Sequence, residues 1–160
     1  MLLKKAQAFE VRPAGVADIP ALIAMRRAMF VSMGHTEEAV LAAMVEASTA
    51  YFHQALPAGE FRGWVAEAGG QIVGCGGLVV HRIPPTTYNL DGRVGYIMNM
   101  YTLPEWRRRG VARAIMAAML SWLQAQGVSV ATLHATPQGR PLYEQFGFAP
   151  TNEMRVLLTE

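Results

Sequence analysis

The sequence is poor in the features that most often announce a function. It has one cysteine, Cys75, so no disulfide can form within the chain. Cys75 lies in an apolar, glycine-rich stretch, which suits a small buried residue better than a nucleophile. Charged residues make up 16% of the 160, and the formal net charge is +2. That is too little positive charge for nucleic acid or a membrane surface to be the main partner. No apolar run reaches about 18 residues, so no membrane-spanning helix is expected. Residues 1–8 carry two lysines but no apolar segment of signal-peptide length, and the expected location is cytoplasmic. No repeat, low-complexity segment or linker divides the chain, which predicts one domain over residues 1–160. Against these absences stands a hydrophobic fraction of 52%, enough to bury a core without staples.

The apolar periodicities predict mixed α/β structure. A short strand fits residues 9–12. Asp18 can cap a helix running to Met33, with Ile19, Leu22, Ile23 and Phe30 on one face and Gly34 as its stop. Thr36 can cap a second helix, with Val40, Leu41, Met44, Val45 and Phe52 as its stripe and Pro57 and Gly59 ending it. Strands at 61–67 and 71–82 flank Gly69-Gly70, a hairpin signal. Residues 83–92 read as a loop and 94–103 as a third long strand. Helical spacing returns over 109–126 through Val111, Ile115, Met119 and Trp122. A strand at 128–134, a short helix at 138–146 and a last strand at 154–159 complete the order β-α-α-β-β-β-α-β-α-β.

One junction carries chemistry. The strand through Met100, Tyr101 and Thr102 passes Pro104 into Arg107-Arg108-Arg109-Gly110-Val111-Ala112 and then into a helix. A helix start offers unpaired N–H groups and the positive end of a dipole, which together favour an anion. Gly110 lets the backbone approach a ligand, Ala112 keeps the first turn uncluttered, and the arginines suit phosphate. By itself the segment also reads as a solvated basic turn. A second segment follows: the strand to His134, then Thr136, and a short helix Leu142-Tyr143-Glu144-Gln145-Phe146-Gly147-Phe148.

With both segments in place, the chain resembles the GNAT superfamily of acetyl-CoA-dependent N-acetyltransferases. The family pattern Q/R-x-x-G-x-G/A is met by Arg107, Gly110 and Ala112. The later Leu-Tyr-Glu ahead of Gly-Phe is met by Leu142, Tyr143, Glu144, Gly147 and Phe148. The resemblance extends over residues 9–159. It implies a mostly antiparallel central sheet flanked by about four helices, with acetyl-CoA as cosubstrate and no metal.

It also implies roles for individual residues. Met100, Tyr101 and Thr102 would offer unpaired strand backbone to the pantetheine arm. Arg107, Arg108, Arg109, Gly110, Val111 and Ala112 would cradle the pyrophosphate, mainly through backbone N–H groups, so that Arg108 can stand where glycine is frequent. Thr136 matches a polar position near the cofactor. Tyr143 would protonate the departing thiolate, which suits a phenol whose pKa exceeds that of a thiol; the other reading is a core tyrosine. An amine would attack the thioester directly, its carbonyl polarised by backbone N–H groups. The chain departs from its relatives at the base. The strands where relatives often carry a glutamate offer Tyr96, Asn99, Thr132 and His134, and no carboxylate. A water relay is the expectation.

The acceptor is expected to be a small-molecule amine or a peptide amine. Its walls would come from Met29, Phe30, Met33 and His35, from the loop 84–91 and from the tail 151–154. A homodimer is compatible with this reading. A non-catalytic acyl-CoA sensor on the same fold remains the alternative, supported by the missing carboxylate.

Overall fold

The computed structural model describes residues 8–159; residues 1–7, where no signal peptide is expected, lie outside the described part. Five strands form one sheet in chain order: β1 (Glu10–Pro13), β2 (Arg62–Ala68), β3 (Gln71–Arg82), β4 (Arg93–Thr102) and β5 (Val130–Leu133). β1 to β4 pair antiparallel and β5 pairs parallel with β4. Four helices flank the sheet: α1 (Ile19–Ser32), α2 (Glu38–Ala58), α3 (Val111–Ala125) and α4 (Arg140–Gln145). α3 is the crossover that a parallel β4–β5 pair requires. None of the described helices is long and apolar enough to cross a membrane.

The β2–β3 hairpin closes on Gly69 and Gly70, with φ of +57° and +79°. Two consecutive left-handed residues match the right-handed twist of the strands they join. Beyond the hairpin, the stretch Gly74-Cys75-Gly76-Gly77 alternates between two helical layers. A Cβ on Gly76 would lie 2.5 Å from Met100 Sδ and 2.7 Å from Ile115 on α3. A Cβ on Gly77 would lie 2.1 Å from Phe61 on the other face. The stretch is glycine-rich because both layers press onto the same strand.

α3 buries Val111, Ile115, Met116, Met119 and Leu123 against Trp64, Ala66, Leu78 and Ile97. On the opposite face α1 and α2 bury Ile19, Leu22, Met25, Phe52 and Ala55 against Phe61, Val65 and Cys75. Asp18 stands at the N-terminus of α1 but, against expectation, its side chain does not cap that helix and serves the 3₁₀ turn before it. Its carboxylate accepts the Gly15 N–H at 2.8 Å and both guanidinium arms of Arg12 at 2.8 and 3.0 Å. The Arg12 hydrogen bonds, set against a desolvation that raises it, hold the carboxyl below its usual range.

Three further expectations are corrected. Thr36 does not cap α2, which begins at Glu38 after an extended Glu37. Pro57 lies inside the last turn of α2, and Gly59, at φ +73°, ends it. The last strand expected at 154–159 is absent: the chain after Phe148 has no regular structure. A strand needs a partner row of N–H and C=O groups. Glu153 and Arg155 contact His134, just past the end of β5, through side chains and not through a backbone ladder. Met154, Val156, Leu157 and Leu158 stay 73–94% exposed.

Candidate active site

The β4 strand organises the site because its neighbours leave it part-way along. β4 pairs with β5 from Val94↔Val130 to Ile97↔Leu133 and no further. From Met98 to Thr102 its β5-facing edge has no strand partner. On the β3 side, Met98 pairs with Gly77 and Tyr101 with Cys75, so Asn99 and Met100 together oppose Gly76. This is a β-bulge, and it re-aims side chains. Asn99 takes φ +59°, rare for a non-glycine residue. Met100 turns toward α3, while Asn99 is buried and turned toward α1.

After Thr102 the chain makes a 3₁₀ turn over Pro104–Trp106 and reaches the arginines. Arg108 has φ +60° and Gly110 φ +84°, two left-handed residues around Arg109. The first bond of α3 runs from the Ala114 N–H to the Gly110 carbonyl at 3.0 Å, and no side chain caps the helix. The N–H groups of Val111, Ala112 and Arg113 are therefore not used by the helix itself. They open on a cavity of about 430 Å³, lined also by Thr102, Arg107, Arg108, Gln138, Leu142 and Gln145.

The three arginines do not act alike. Arg107 Nε donates to the Thr102 carbonyl at 3.2 Å, and its guanidinium lies over the Tyr101 ring. Arg109 stacks on Trp106 at 5.0 Å. Arg108 makes no ion pair among the described residues. Arg113, which sequence reasoning passed over, joins α3 to α4 through Gln145 and lies over Phe146.

Tyr143 is on α4, beside Leu142, but it faces a different cavity. That cavity, about 450 Å³, lies between β5, α4 and the tail, and is lined by Thr132, His134, Phe148, Thr151, Glu153 and Met154 among others. The Tyr143 hydroxyl makes no hydrogen bond among the described residues. Its ring folds back on Gly139, where a Cβ would come within 2.9 Å of it. Burial pushes the phenol above its ordinary value of 10.0. Thr136 closes the turn into α4, its hydroxyl accepting the Gly139 N–H at 3.2 Å. His134 faces the Tyr96 hydroxyl at 3.3 Å and the carboxylate of Glu153 at 3.7 Å.

A third cavity, about 320 Å³, lies between α1, α2 and β4. None of the residues expected to wall the acceptor lines it, and the tail residues Thr151, Glu153 and Met154 line the cavity beside Tyr143. Met33 is half exposed and His35 packs edge-on against Phe30. The loop 84–91 folds on itself through a Thr86–Asn89 bridge. The cavity instead takes Arg26, Met44, Ser48, Tyr51, Phe61 and Met98. Arg26 was findable in principle: it stands four residues after Leu22 and four before Phe30, a cation on an apolar stripe.

Cys75 is fully buried, and desolvation pushes its thiol up to about 12, against hydrogen bonding that lowers it. Its Sγ donates to the Asn99 carbonyl at 3.2 Å, so it buttresses the bulge. Among the described residues, no cluster of three His, Cys, Asp or Glu side chains could hold a metal.

Comparisons with known proteins identify the family and the fold. The model of the acetyltransferase (GNAT) domain matches residues 59–150. A GCN5-related N-acetyltransferase from Ralstonia eutropha superposes with a TM-score of 0.87 at 34% identity, covering 94% of this chain and 99% of that one. A predicted acetyltransferase from Clostridium acetobutylicum, crystallised with acetyl-CoA, gives 0.85 at 29% identity, covering 94% and 96%. An aminoglycoside N-acetyltransferase in complex with CoA shares the fold at 20% identity, with a TM-score of 0.73 and coverage of 99% and 98%. A search of curated protein sequences found no match. The domain match spans more than half of the chain and contains the β4 bulge, the uncapped α3 turn and Tyr143, and on these grounds the chain belongs to the GNAT family of acetyltransferases.

Proposed function

We propose that residues 1–160 form one domain that moves an acetyl group from acetyl-CoA to a primary amine. The carrying observation is the continuity of two sets of backbone donors. The unpaired edge at Met100, Tyr101 and Thr102 leads directly to the unused N–H groups of Val111 and Ala112. The edge offers a β-like partner to the amides of the pantetheine arm. The helix start offers an anion site for the pyrophosphate. Arg108 and Arg113 add positive charge beside it, while Arg107 and Arg109 brace the turn.

In the reaction the amine nitrogen attacks the thioester carbon. A C–N bond forms, the C–S bond breaks, and the sulfur leaves as thiolate. Tyr143 gives its hydroxyl proton to that thiolate, and the amine's proton returns to the phenolate through water. A raised phenol pKa keeps the proton on Tyr143 at neutral pH, which an acid requires. β4 and β5 carry no carboxylate, so the amine loses its proton to a water relay. Thr136 positions the turn that presents α4. The same missing carboxylate favours a second reading, a sensor that binds acetyl-CoA without turnover. Incubation with acetyl-CoA and a panel of amines, with free thiol followed over time, separates the two. Thiol release that depends on amine supports transfer. Tight acetyl-CoA binding without release from any amine supports the sensor.

A homodimer belongs to the same proposal. The exposed apolar side chains of the tail and the outer edge of β5, which has no strand partner on that side, offer a second copy an apolar surface and an unpaired edge. Sedimentation of the full chain, with and without residues 154–160, tests it.

A further inference from the structure

Arg26 is a cation in an apolar place. It projects from α1 into the cavity bounded by Met44, Tyr51, Phe61 and Met98. Its Nε donates to Ser48 Oγ at 3.1 Å and its Nη1 to Asn99 Oδ1 at 3.3 Å. The guanidinium lies over the Phe30 ring, 5.1 Å from its centroid. Both hydrogen-bond partners are neutral, and among the described residues no carboxylate lies within ion-pair distance of it. By contrast Arg12, partly exposed, lies between the carboxylates of Asp18 and Glu67. A guanidinium carries five donors in a planar fork that matches a carboxylate. Holding one beside apolar walls without a counter-ion costs free energy, unless a ligand supplies the anion.

The position of Arg26 says what that ligand is for. Asn99, to which it is tied, is the bulge residue of β4, next to the stretch assigned above to the pantetheine arm. An anion on Arg26 therefore sits at the side of β4 opposite α3, beside the end of the strand where the thioester would lie. The remaining walls are methionine and aromatic side chains, and methionine suits varied apolar shapes.

We propose that the acceptor is an amine that also bears a carboxylate, an amino acid with an apolar side chain, and that Arg26 is the residue that binds this carboxylate. Arg26 fixes the carboxylate, the apolar walls take the side chain, and the amino group is left facing β4. The reaction consumes one amino acid and one acetyl-CoA and yields the N-acetyl amino acid and CoA thiol. The inference rests on the acetyl-transfer reading for its product, but not for its binding step.

The test uses matched ligands that differ only in the anion. Calorimetric titration of the protein–CoA complex compares phenylalanine with phenethylamine, methionine with 3-(methylthio)propylamine, and β-alanine with 2-aminoethylphosphonate. The expected result is at least tenfold tighter binding of the carboxylate member of the first two pairs. Arg26→Met should abolish that difference, and Arg26→Lys should restore part of it. Unchanged acetyl-CoA affinity in both variants shows that they fold. Equal affinity within the first two pairs, or no binding of any member, overturns the proposal. Preference for the phosphonate over β-alanine overturns it in favour of a phosphate-bearing acceptor. Free-thiol release from the same ligands with acetyl-CoA in place of CoA separates the two readings. Carboxylate-dependent binding without release would sink acetyl transfer and leave the Arg26 site standing. Release that favours the amines lacking a carboxylate would do the reverse.

Discussion

The two sides of β4 are built differently. Toward α3 the site is backbone: an unpaired strand edge, two left-handed residues and a helix start without a cap. Toward α1 and α2 it is side chains: Arg26, Ser48 and Asn99, brought together across 22 and 73 residues of chain. A backbone site needs its residues consecutive, so it leaves a motif. A side-chain site draws on remote segments and leaves none.

Four changes would break or sharpen the contrast, ordered from the largest effect. Gly110→Asp places a negative charge at a φ of +84° beside the unused N–H groups. It should weaken acetyl-CoA at least 100-fold by calorimetry, equal to about 3 kcal/mol, while the fold persists. Retained affinity would mean that the turn does not hold the cofactor. Tyr143→Phe should lower kcat about 100-fold, at the low end for a positioned acid, with acetyl-CoA affinity within about twofold. Because the phenol pKa is raised, the contribution of Tyr143 should persist through pH 9 and be lost only as pH rises past the raised value. An unchanged rate would remove Tyr143 as the acid.

Asp18→Ala acts on the side-chain half. It removes the Arg12 pair and the Gly15 bond that closes the turn before α1, and should cost about 1–2 kcal/mol in denaturant unfolding. The folded pKa of Asp18 is lowered, so its contribution is present above the unfolded value of 3.8 and fades as pH falls below it. The cost in the variant should accordingly shrink toward acid; a cost that stays constant to pH 3 would show that the charge is not involved. The smallest effect is expected from Arg108→Gly. Glycine relieves a left-handed backbone but loses one positive charge, and acetyl-CoA affinity should change less than about fivefold. A larger loss would shift the grip from backbone to side chain.

These differences also decided what the sequence disclosed. The hairpin at Gly69-Gly70, the β4–α3 junction and the short Tyr143 helix are local patterns, and all three stand where spacing predicts. The bulge at Asn99 was invisible, because it arises from pairing with Gly76 rather than from any turn residue. The resemblance implies an acceptor wall at Met29, Phe30, Met33 and His35, on the first two helices and the loop between them, whereas the cavity between α1, α2 and β4 is lined by Arg26 and the middle of α2. Residues 154–159 read as a strand from their side chains, yet side chains supply only half of one. The other half is a backbone ladder on an edge, and the tail's polar contacts near β5 are side-chain contacts to His134. Tyr143 and the α3 turn face separate cavities although Leu142 and Tyr143 are adjacent, a divergence that one turn of helix produces and spacing alone does not reveal.

The central claim is that one continuous run of β4 and α3 backbone holds acetyl-CoA. Amide NMR of the full chain, titrated with acetyl-CoA, reads those N–H groups one by one. The account predicts that the largest shifts fall on Tyr101, Thr102, Gly110, Val111, Ala112 and Arg113, and that Arg27, Ser48 and Tyr51 on the far side barely move. Shifts concentrated on α1 and α2, with the α3 turn unmoved, would contradict it.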